Sequence, residues 1–486
     1  MLHFLVFNIT LAFAVFKGKL AHQVLQELAT EYGDVYTLWL GPEPTVIVNN
    51  DAIFDAFINK KNDFAGRPDF FFRTVGLVSK DSSDIVFEDW GRPWEVLRRV
   101  AHSATRKFAV SPKLPIIEVG VVDEVVDLIL SKEGLNKPFN PKDYIYLMVY
   151  SIIASMAAGK SYSINDDEFI NLKTANDLTL KLQATLIVVE FFPFLRFFPY
   201  QKDWKRMIDA VNVNLDWCRR QVDQHMNKYQ DNKDGNMKKL KSEDIVINDF
   251  IDSLIAAKIE AEETDNQAAN HLTPDNLKNV VQNLFQAGTE TTRMTLNWAF
   301  LLIANYQDVQ RKLRNEIDEM IGNEIPNNDH RKKCHYVQAF LAEVMRFSPI
   351  VSAGVPHKAI KDSEIKGQVI PKETTIVANL MSQLFDEKVW KDPRKFRPER
   401  FIDETSGTFN ARMNDSFHPF SVGRRACLGE KLALINLFIE ITRFLQKTKG
   451  YKIVLKDGEG SVSMEPDPNQ NTMYANVEYE IMIVKE

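Results

Sequence analysis

The sequence is poor in cysteine. Its 486 residues include only three, Cys218, Cys334 and Cys427. A count this small and odd cannot form a disulfide framework, and neither Cys218 nor Cys334 has a partner at metal-ligand spacing. Sparse, unpaired cysteine is typical of chains that face a reducing compartment. The sequence therefore excludes a small disulfide-stapled fold.

The sequence also lacks an excess of positive charge. It has 60 Lys and Arg residues against 66 Asp and Glu residues, which gives a formal net charge of −6. Nucleic-acid-binding domains are usually strongly basic, so a nucleic-acid partner is excluded. The length alone suggests roughly two to four domains. No repeat or linker divides the chain, however, and we predict a single large domain.

The N-terminal apolar run is too short to cross a bilayer comfortably. Residues 1–16 are apolar except for His3, Asn8 and Thr10, whereas a spanning helix needs about 20 apolar residues. No small-residue cleavage motif follows, so we favour a weak anchor, or the end of a longer one, over a cleaved signal. Lys17 and Lys19 on the flank favour a body on the cytoplasmic side.

Helical patterns dominate the rest of the chain. Residues 35–40 and 45–48 read as a β-hairpin around a Gly-Pro turn. Most of residues 51–312 reads as helix with loops. Strand signals return only around residues 365–380 and 474–484. The sequence therefore predicts a mainly α fold with small β-sheets near its two ends.

The segment from Phe420 to Gly429 carries the strongest chemical signal. It reads F-x-x-G-x-R-x-C-x-G, with Gly423 at the turn and Cys427 just before a long apolar helix. A thiol at a helix N-terminus beside cations favours the thiolate, and the N–H groups of Leu428 and Gly429 are free to point at it. An isolated cysteine is usually a small core residue. A thiolate in an apolar pocket instead suits the fifth ligand of a haem iron.

A second signal lies inside an unusually long helix. Thr273 is a good N-cap and Pro274 a good first residue for a helix that runs to about Ala304. Its middle, from Ala287 to Thr292, reads A-G-T-E-T-T, although Gly and Thr each cost a helix up to about 1 kcal/mol. The Thr291 hydroxyl can bond the carbonyl one turn back and open the helix. The segment is either an oxygen-binding groove or a kink without chemistry.

Two further motifs place charged side chains on helix faces. Glu343 and Arg346 are three residues apart and can pair, and Arg400 can share the carboxylate if the group is buried. Exposed, such a pair would contribute little. Trp94 and Arg98 share another helix face in a W-x-x-x-R spacing, and a buried carboxylate requires cations and N–H donors.

These motifs together resemble those of the cytochromes P-450. The resemblance runs from about Ala21 to the C-terminus, with the motifs in order. It is closest to the animal microsomal branch that contains steroid 17α-hydroxylase and the aryl-hydrocarbon hydroxylases. The stretches that carry this are residues 64–68, 191–199 and 355–359. One departure is that the proline-rich hinge between anchor and body is absent.

The resemblance implies a role for each site residue. Cys427 would ligate the iron of haem b (iron protoporphyrin IX). Thr291 would steer protons to the reacting oxygen, and Glu290 would help to supply them. The remaining residues would contact the haem or its propionates, or lie in weaker family positions, and they are Trp94, Arg98, Arg425, His357, Arg67, Phe420, Gly423, Ala287 and Gly429. Small or aliphatic pocket residues would be Ala287, Val351, Ala353 and Val355.

The implied fold is a single haem-thiolate domain over residues 20–486, with residues 1–19 as a short anchor in the endoplasmic reticulum membrane and a cytoplasmic catalytic domain. The implied reaction inserts one atom of O₂ into a lipophilic small molecule (a steroid, fatty acid or xenobiotic). Electrons would come from NADPH through a flavoprotein reductase.

Alternatives are an O₂-independent haem-thiolate isomerase or dehydratase, and a non-catalytic haem-binding protein. Glu290-Thr291 argues against the first, and a thiolate ligand argues against the second.

Two surfaces are candidates for partners. Basic residues near the cysteine loop would either dock an acidic reductase or be ordinary solvated charge, and they are Arg98, Arg99, Arg106, Lys107, Arg424 and Lys431. The aromatic stretch 191–200 contains two prolines and one charge, Arg196, which favours a loop over a sheet interior. We predict that this loop dips into the membrane interface.

Overall fold

A computed structural model describes residues 20–40, 43–69, 82–230, 241–264, 266–411, 414–467 and 473–486. The expected anchor, residues 1–19, lies outside these ranges. The helices are α1 Ala21–Tyr32, α2 Asn50–Phe54, α3 Arg92–Ala109, α4 Lys113–Lys132, α5 Lys142–Ala158, α6 Asp167–Phe191, α7 Gln201–Gln230, α8 Phe250–Thr264, α9 Asn266–Ala269, α10 Pro274–Asn305, α11 Gln307–Met320, α12 Asn328–Lys333, α13 His335–Phe347, α14 Leu380–Leu384 and α15 Glu430–Lys447. A π-helical turn, Asp55–Asn59, continues α2.

In the described part of the chain, three small sheets accompany these helices. The largest is four-stranded in the order β1-β2-β6-β3, and β4-β5 and β7-β8 form two antiparallel pairs. The strands are β1 Val35–Leu40, β2 Glu43–Val48, β3 His357–Lys358, β4 Ser363–Ile365, β5 Gln368–Ile370, β6 Thr375–Ala378, β7 Tyr451–Leu455 and β8 Ile481–Lys485. The predicted hairpin is confirmed as β1 and β2, which pair from Val35 opposite Val48 to Leu40 opposite Glu43. The predicted mainly α fold with small sheets is likewise confirmed.

The C-terminal strand is shorter than the sequence suggested. The pattern predicted strand from 474 to 484, but regular pairing with β7 begins only at Ile481. The backbone of Tyr474 is used elsewhere, because its N–H donates to the carbonyl of Ile350 and its carbonyl accepts from Trp298 Nε1. Tertiary hydrogen bonds therefore replace the sheet ladder at this point.

Helix α10 is the central element of the helical body. Its start matches the prediction, since the Thr273 side chain accepts a hydrogen bond from Asn276 N–H and Pro274 begins the helix. Its 32 residues span about 48 Å at the usual rise. Helices α3, α5, α7, α13 and α15 all pack against it. The second half is almost entirely buried, and Leu296, Trp298 and Leu301 are fully enclosed.

The predicted charge network is confirmed as a buried one. Arg346 binds Glu343 in a bidentate manner, with distances of 2.7 Å from Nε and 2.9 Å from Nη2, and both side chains are fully buried. Arg400 Nε adds a contact of 3.1 Å to the same carboxylate. Arg346 also donates to the carbonyls of Leu384 and Pro393. Removing one member of such a buried group usually costs about 3–5 kcal/mol, so this network fixes α13 to the segment after β6.

Candidate functional site

The cysteine loop is a tight turn that ends at the start of α15. Cys427 N–H donates to the carbonyl of Phe420 at 2.9 Å, which closes the loop. Ser421 and Gly423 both have positive φ, at 59° and 83°. Of the three cysteines only Cys427 is exposed. The loop therefore presents a single reachable thiol, while Cys218 and Cys334 are buried.

Gly423 is required by a close approach of two backbone segments. A Cβ at this position would lie 2.0 Å from the carbonyl oxygen of Phe57, in the π-helical turn. Real Cβ atoms do not approach an oxygen so closely, and the positive φ would strain any other residue. The loop is thus seated directly against residues 55–59, and Gly423 permits that contact.

The electrostatics of Cys427 differ from the sequence prediction. The N–H groups that bond the sulfur are those of Gly429 and Glu430, rather than Leu428 and Gly429. Burial by the surrounding chain raises the pKa of Cys427, and these two N–H groups and the Arg98 cation offset the rise only in part. The protein alone therefore does not favour the thiolate, and the prediction was wrong on this point. A coordinating thiol loses its proton to its metal, so metal binding would supply what the protein alone does not.

Two of the predicted cofactor-binding arginines stack on Trp94. The guanidinium of Arg425 lies 4.0 Å from the ring centroid of Trp94, and that of Arg98 lies 5.4 Å away. Arg98 Nη2 donates to the carbonyl of Ala426, one residue before the cysteine. The W-x-x-x-R face of α3 thus contacts the cysteine loop directly.

Arg67 and His357 join the same region from two other parts of the chain. Arg67 is buried and donates to the carbonyls of Val86, Val355 and Pro356. His357 Nδ1 lies 2.7 Å from the carbonyl oxygen of Phe64. Burial and the nearby cations lower the pKa of His357 well below its ordinary range, so the imidazole is neutral. Both residues, which the sequence supported only weakly, lie with the stronger candidates.

Arg67, Arg98 and Arg425 lie close together. At Arg67 and Arg425, burial and the repulsion from neighbouring arginines outweigh the attraction of Asp84 and Asp89. Burial, followed by the neighbouring Arg67 and Arg98, lowers the pKa of Arg425 to about 9. Burial and Arg98 lower the pKa of Arg67 to about 10. Arg425 Nη1 is buried and has no hydrogen-bond partner among the described residues. Such a cluster suits an anionic ligand with several oxygen acceptors, and the two propionates of a haem have that chemistry.

The A-G-T-E-T-T segment of α10 has one open side and one closed side. Gln286 and Ala287 are exposed although the helix around them is mostly buried. The Thr291 hydroxyl donates to the Ala287 carbonyl at 2.7 Å, as predicted. The helix continues through the segment without interruption, so the predicted local opening is not seen. The segment therefore has one accessible side, at Gln286 and Ala287.

Glu290 lies on the closed side of the same helix. Its carboxylate is buried and receives Arg293 Nη2 at 2.6 Å and the amide of Asn176. Arg293 in turn lies over the ring of Tyr146. The acid is therefore fixed by an ion pair and an amide, whereas the neighbouring Thr291 is partly accessible.

The other candidates fall into two groups. Val351, Ala353 and Val355 are partly or largely exposed and follow α13 in the loop before β3. Among the basic residues, Arg99, Arg106, Lys107 and Lys431 are exposed on α3 and α15. Arg98 and Arg424 are partly committed, since Arg424 Nε donates to Asn62 Oδ1 at 2.8 Å.

Two aspartates that organise this region carry no recognisable signal in the sequence. Asp84 Oδ1 accepts the N–H groups of Val86, Phe87 and Glu88. Asp89 binds Arg67 N–H at 2.9 Å and Lys358 Nζ at 2.7 Å. Aspartate in a loop is too common to single out, and only the fold brings these carboxylates beside the arginines.

An accessible cysteine beside buried arginines, together with a long central helix that has a threonine on its open side, matches what a haem-thiolate protein requires. The comparisons with known proteins agree. The cytochrome P450 family model matches residues 3–467. Cytochrome P450 2D3 of Rattus norvegicus is 33% identical over 440 residues, which cover 87% of this chain and 81% of that protein. The steroid 17-alpha-hydroxylase/17,20 lyase of Rana dybowskii is 30% identical over 433 residues, 88% of this chain and 79% of that protein.

A solved zebra fish cytochrome P450 shares the fold. Its structure superposes with a TM-score of 0.79 and 24% identity, and the match covers 95% of this chain and 99% of that one. The chain belongs to the cytochrome P450 family. It is a haem-thiolate monooxygenase that binds iron protoporphyrin IX and acts with a substrate, O₂ and a redox partner. Of the activities considered from the sequence, the monooxygenase is confirmed.

The close approach at Gly423 can be tested by adding one methyl group. Gly423→Ala would drive Cβ into the Phe57 carbonyl, and overpacking of this kind typically costs about 1–3 kcal/mol or more. We expect haem content per protein, measured by absorbance, to fall at least about tenfold.

Gly458→Ala is the matched control. Gly458 has a similar φ of +89°, but a methyl group on its Cα would meet no other atom within 4 Å. It shares the backbone strain of about 1–2 kcal/mol without the collision, and should keep its haem. Equal haem content in the two variants would contradict the proposed contact.

Proposed function

We propose that Cys427 is the iron ligand of a monooxygenase that acts on a lipophilic small molecule with electrons from NADPH through a flavoprotein reductase. The observation that carries this is the accessible Cys427 thiol in a loop that Arg98 contacts. Arg425 of the same loop belongs to the cation cluster, which consists of Arg67, Arg98 and Arg425. One bound haem meets both requirements, because its iron takes the sulfur and its propionates take the cations.

The cation cluster holds the acidic edge of the haem. Arg425 offers an Nη1 without a partner in the described chain, and Arg98 lies between Trp94 and the cysteine loop. Arg67 would add positive charge, and neutral His357 would contribute a ring without adding charge. Phe420, Gly423 and Gly429 of the cysteine loop and Ala287 of α10 would shape the surfaces that contact the haem.

The bound haem supplies activation of O₂, and the protein supplies the protons. The Thr291 hydroxyl proton is committed to the Ala287 carbonyl, so its oxygen is free to accept a hydrogen bond. It can therefore hold a water or another proton donor at the open side of α10. Glu290 acts indirectly, since its carboxylate must leave Arg293 and Asn176 before it can carry a proton.

The pocket favours an apolar substrate. We expect Val351, Ala353 and Val355, which are small or aliphatic and at least partly exposed, to line the approach to the haem together with exposed Ala287. The Rana relative is named as a steroid 17-alpha-hydroxylase, and the zebra fish structure contains progesterone. Steroids are thus the first class to screen, followed by fatty acids and planar aromatics.

The basic face of α3 and α15 is the docking surface for the reductase. Arg99, Arg106, Lys107 and Lys431 are exposed there, and α3 and α15 pack against each other beside the cysteine loop. An acidic flavoprotein would be steered to this face and brought close to the thiolate side of the haem.

The aromatic segment after α6 is the surface that contacts the endoplasmic reticulum membrane. Phe194, Phe197 and Phe198 are 65%, 64% and 81% exposed. Arg196 lies over the ring of Phe197. None of the helices in the described ranges combines the length and apolar character that a membrane span requires. Aromatic rings at headgroup depth with a cation beside them are typical of interfacial binding.

The iron ligand can be tested by spectroscopy. With Cys427 as a thiolate ligand, the reduced, carbon-monoxide-bound protein should show the far-red-shifted Soret band of thiolate haem. Cys427→His should lose this band and the NADPH-dependent oxygenation. Cys218→Ser and Cys334→Ser, which change buried cysteines, should retain the band. Retention of both properties by Cys427→His would refute the assignment.

The proton-handling role of Thr291 can be tested by measuring coupling. In Thr291→Ala we expect NADPH use to continue while product formation falls by about 10²–10⁴-fold, with peroxide released instead. Thr295→Ala is the matched control, because the Thr295 hydroxyl also bonds the carbonyl one turn back, at 2.8 Å. If both variants were coupled like the parent protein, Thr291 would have only a helical role.

The membrane surface can be tested with vesicles that contain anionic lipid. Deleting residues 2–16 should weaken co-sedimentation with the vesicles without abolishing it, since two weak signals together hold a protein where one does not. Adding Phe194→Asp and Phe197→Asp should release the protein.

Ile116→Asp with Val369→Asp is the matched control. It adds the same charge at two apolar residues outside the aromatic segment, which are 65% and 78% exposed, and it should leave vesicle binding unchanged. Complete release by the deletion alone would show that the aromatic segment is not a membrane contact.

A further inference from the structure

One face of α10 carries three asparagines. Asn276, Asn279 and Asn283 are spaced by three and four residues, so their side chains line up along the helix. Asn276 and Asn279 are buried and Asn283 is partly buried. Asparagine is a poor helix former, and a buried amide is costly unless it is hydrogen-bonded. We call these three residues the asparagine stripe.

The stripe binds one short segment far away in sequence. Asn276 Oδ1 accepts Ser83 N–H at 2.7 Å, and Asn283 Oδ1 accepts Ile85 N–H at 3.0 Å. Asn279 Nδ2 donates to Ser82 Oγ at 3.0 Å and to the Ser83 carbonyl at 3.2 Å. Each amide therefore bonds the loop at a different atom, and together they fix its position along α10.

The segment that the stripe binds is a strap of residues 82–89. Asp84 Oδ1 accepts three successive N–H groups within the strap, at 3.0, 2.7 and 3.0 Å. This arrangement is a local turn that stiffens the backbone. The strap is therefore held on one side by the stripe and is rigid along its own length.

The carbonyls of the strap bind the residues of the cation cluster. Trp94 Nε1 donates to the Ile85 carbonyl at 3.2 Å. Arg67 Nε donates to the Val86 carbonyl and Arg425 Nη2 to the Glu88 carbonyl, at 2.9 and 2.8 Å. Every one of these contacts sets the direction of a group that faces the proposed propionate site.

We propose that Asn276, Asn279 and Asn283 are positioning residues for the acidic edge of the cofactor. They seat the strap on α10, and the strap aims Trp94 and the two arginines. Asn283 precedes Thr291 by eight residues, or about 12 Å along the same helix. The stripe thus fixes Trp94, Arg67 and Arg425 relative to the A-G-T-E-T-T segment that carries Thr291. The inference rests on the propionate-binding role proposed above for the cluster.

The side-chain amides of Asn279 and Asn283 have opposite hydrogen-bonding roles toward the strap. Asn283 acts on it as an acceptor, and Asn279 acts as a donor. Aspartate keeps the acceptor and loses the donor. Asn283→Asp should therefore preserve the strap contact, whereas Asn279→Asp places a carboxylate against the Ser83 carbonyl. A purely packing role would rank the same substitutions alike at both positions.

The test measures haem loss from the purified holoprotein to excess apomyoglobin, together with the Soret circular dichroism of the bound haem. An unsatisfied N–H at Ile85 should make Asn283→Leu lose haem about tenfold faster. Asn283→Asp should stay within about twofold of the parent protein, and Asn279→Asp should be at least about tenfold faster. The Soret dichroism should change in the fast variants only.

Asn297→Leu is the matched control on the same helix. Asn297 donates to Asn476 Oδ1 at 2.7 Å and accepts from Tyr479, far from the strap. Its haem loss should match the parent rate, and acceleration equal to that of Asn283→Leu would overturn the inference. Equal rates for Asn283→Asp and Asn283→Leu would also overturn it. If Asn283→Leu does not accumulate as holoprotein, the opposite effects of aspartate at 279 and 283 decide alone.

A further variant separates this inference from the proposed function. Arg425→Leu removes a cluster member directly. If it leaves haem loss unchanged, the propionate-binding role fails, whatever the stripe variants do. If Arg425→Leu accelerates haem loss and the stripe variants do not, the cluster binds haem and only the positioning role of the asparagines fails.

Discussion

The structure depends on the burial of several like charges in one place. Arg67, Arg98 and Arg425 converge in the region of the cysteine loop. Arg98 lowers the pKa of both Arg67 and Arg425, and Arg67 lowers the pKa of Arg425 further. Buried cations are costly unless acceptors surround them. Backbone carbonyls from distant segments, among them Ala65 and Glu88, supply part of that stabilisation. Arg425 Nη1 is left without a partner among the described residues, and the propionates of a haem are the acceptors that we propose for it.

The need to hold these charges in place also explains why the long helix α10 has both a structural and a chemical half. Its C-terminal half is enclosed by helices and anchors Trp298 in the core. Its N-terminal half binds the strap through amides, and its middle presents Thr291 at an open side. Elsewhere in the body, the Glu343–Arg346–Arg400 network holds α13 in place. Rigid supports of this kind let a small number of polar groups act with defined geometry.

Much of this could be predicted from local sequence. The hairpin, the capped start of α10, the Thr291 hydrogen bond and the buried charge network were all correct, because each depends on residues close together or on strongly typed motifs. The errors share a cause. The thiolate predicted for Cys427 failed because the pKa of the thiol depends on what other segments pack around it. The strand expected from residue 474 was displaced by hydrogen bonds to Trp298 and Ile350.

The sequence by itself determined the family, the thiol that can reach a metal, and the helix that carries the threonine, because these follow from motifs whose spacing matches a local backbone. Only the tertiary structure decided which groups meet across the chain. Asn283 and Ile85 are 198 positions apart, and Arg425 and Glu88 are 337 apart. An amide or guanidinium can bond almost any carbonyl, so its chemistry does not specify its partner. The packing of the helices selects the partner, and with it the position of the site.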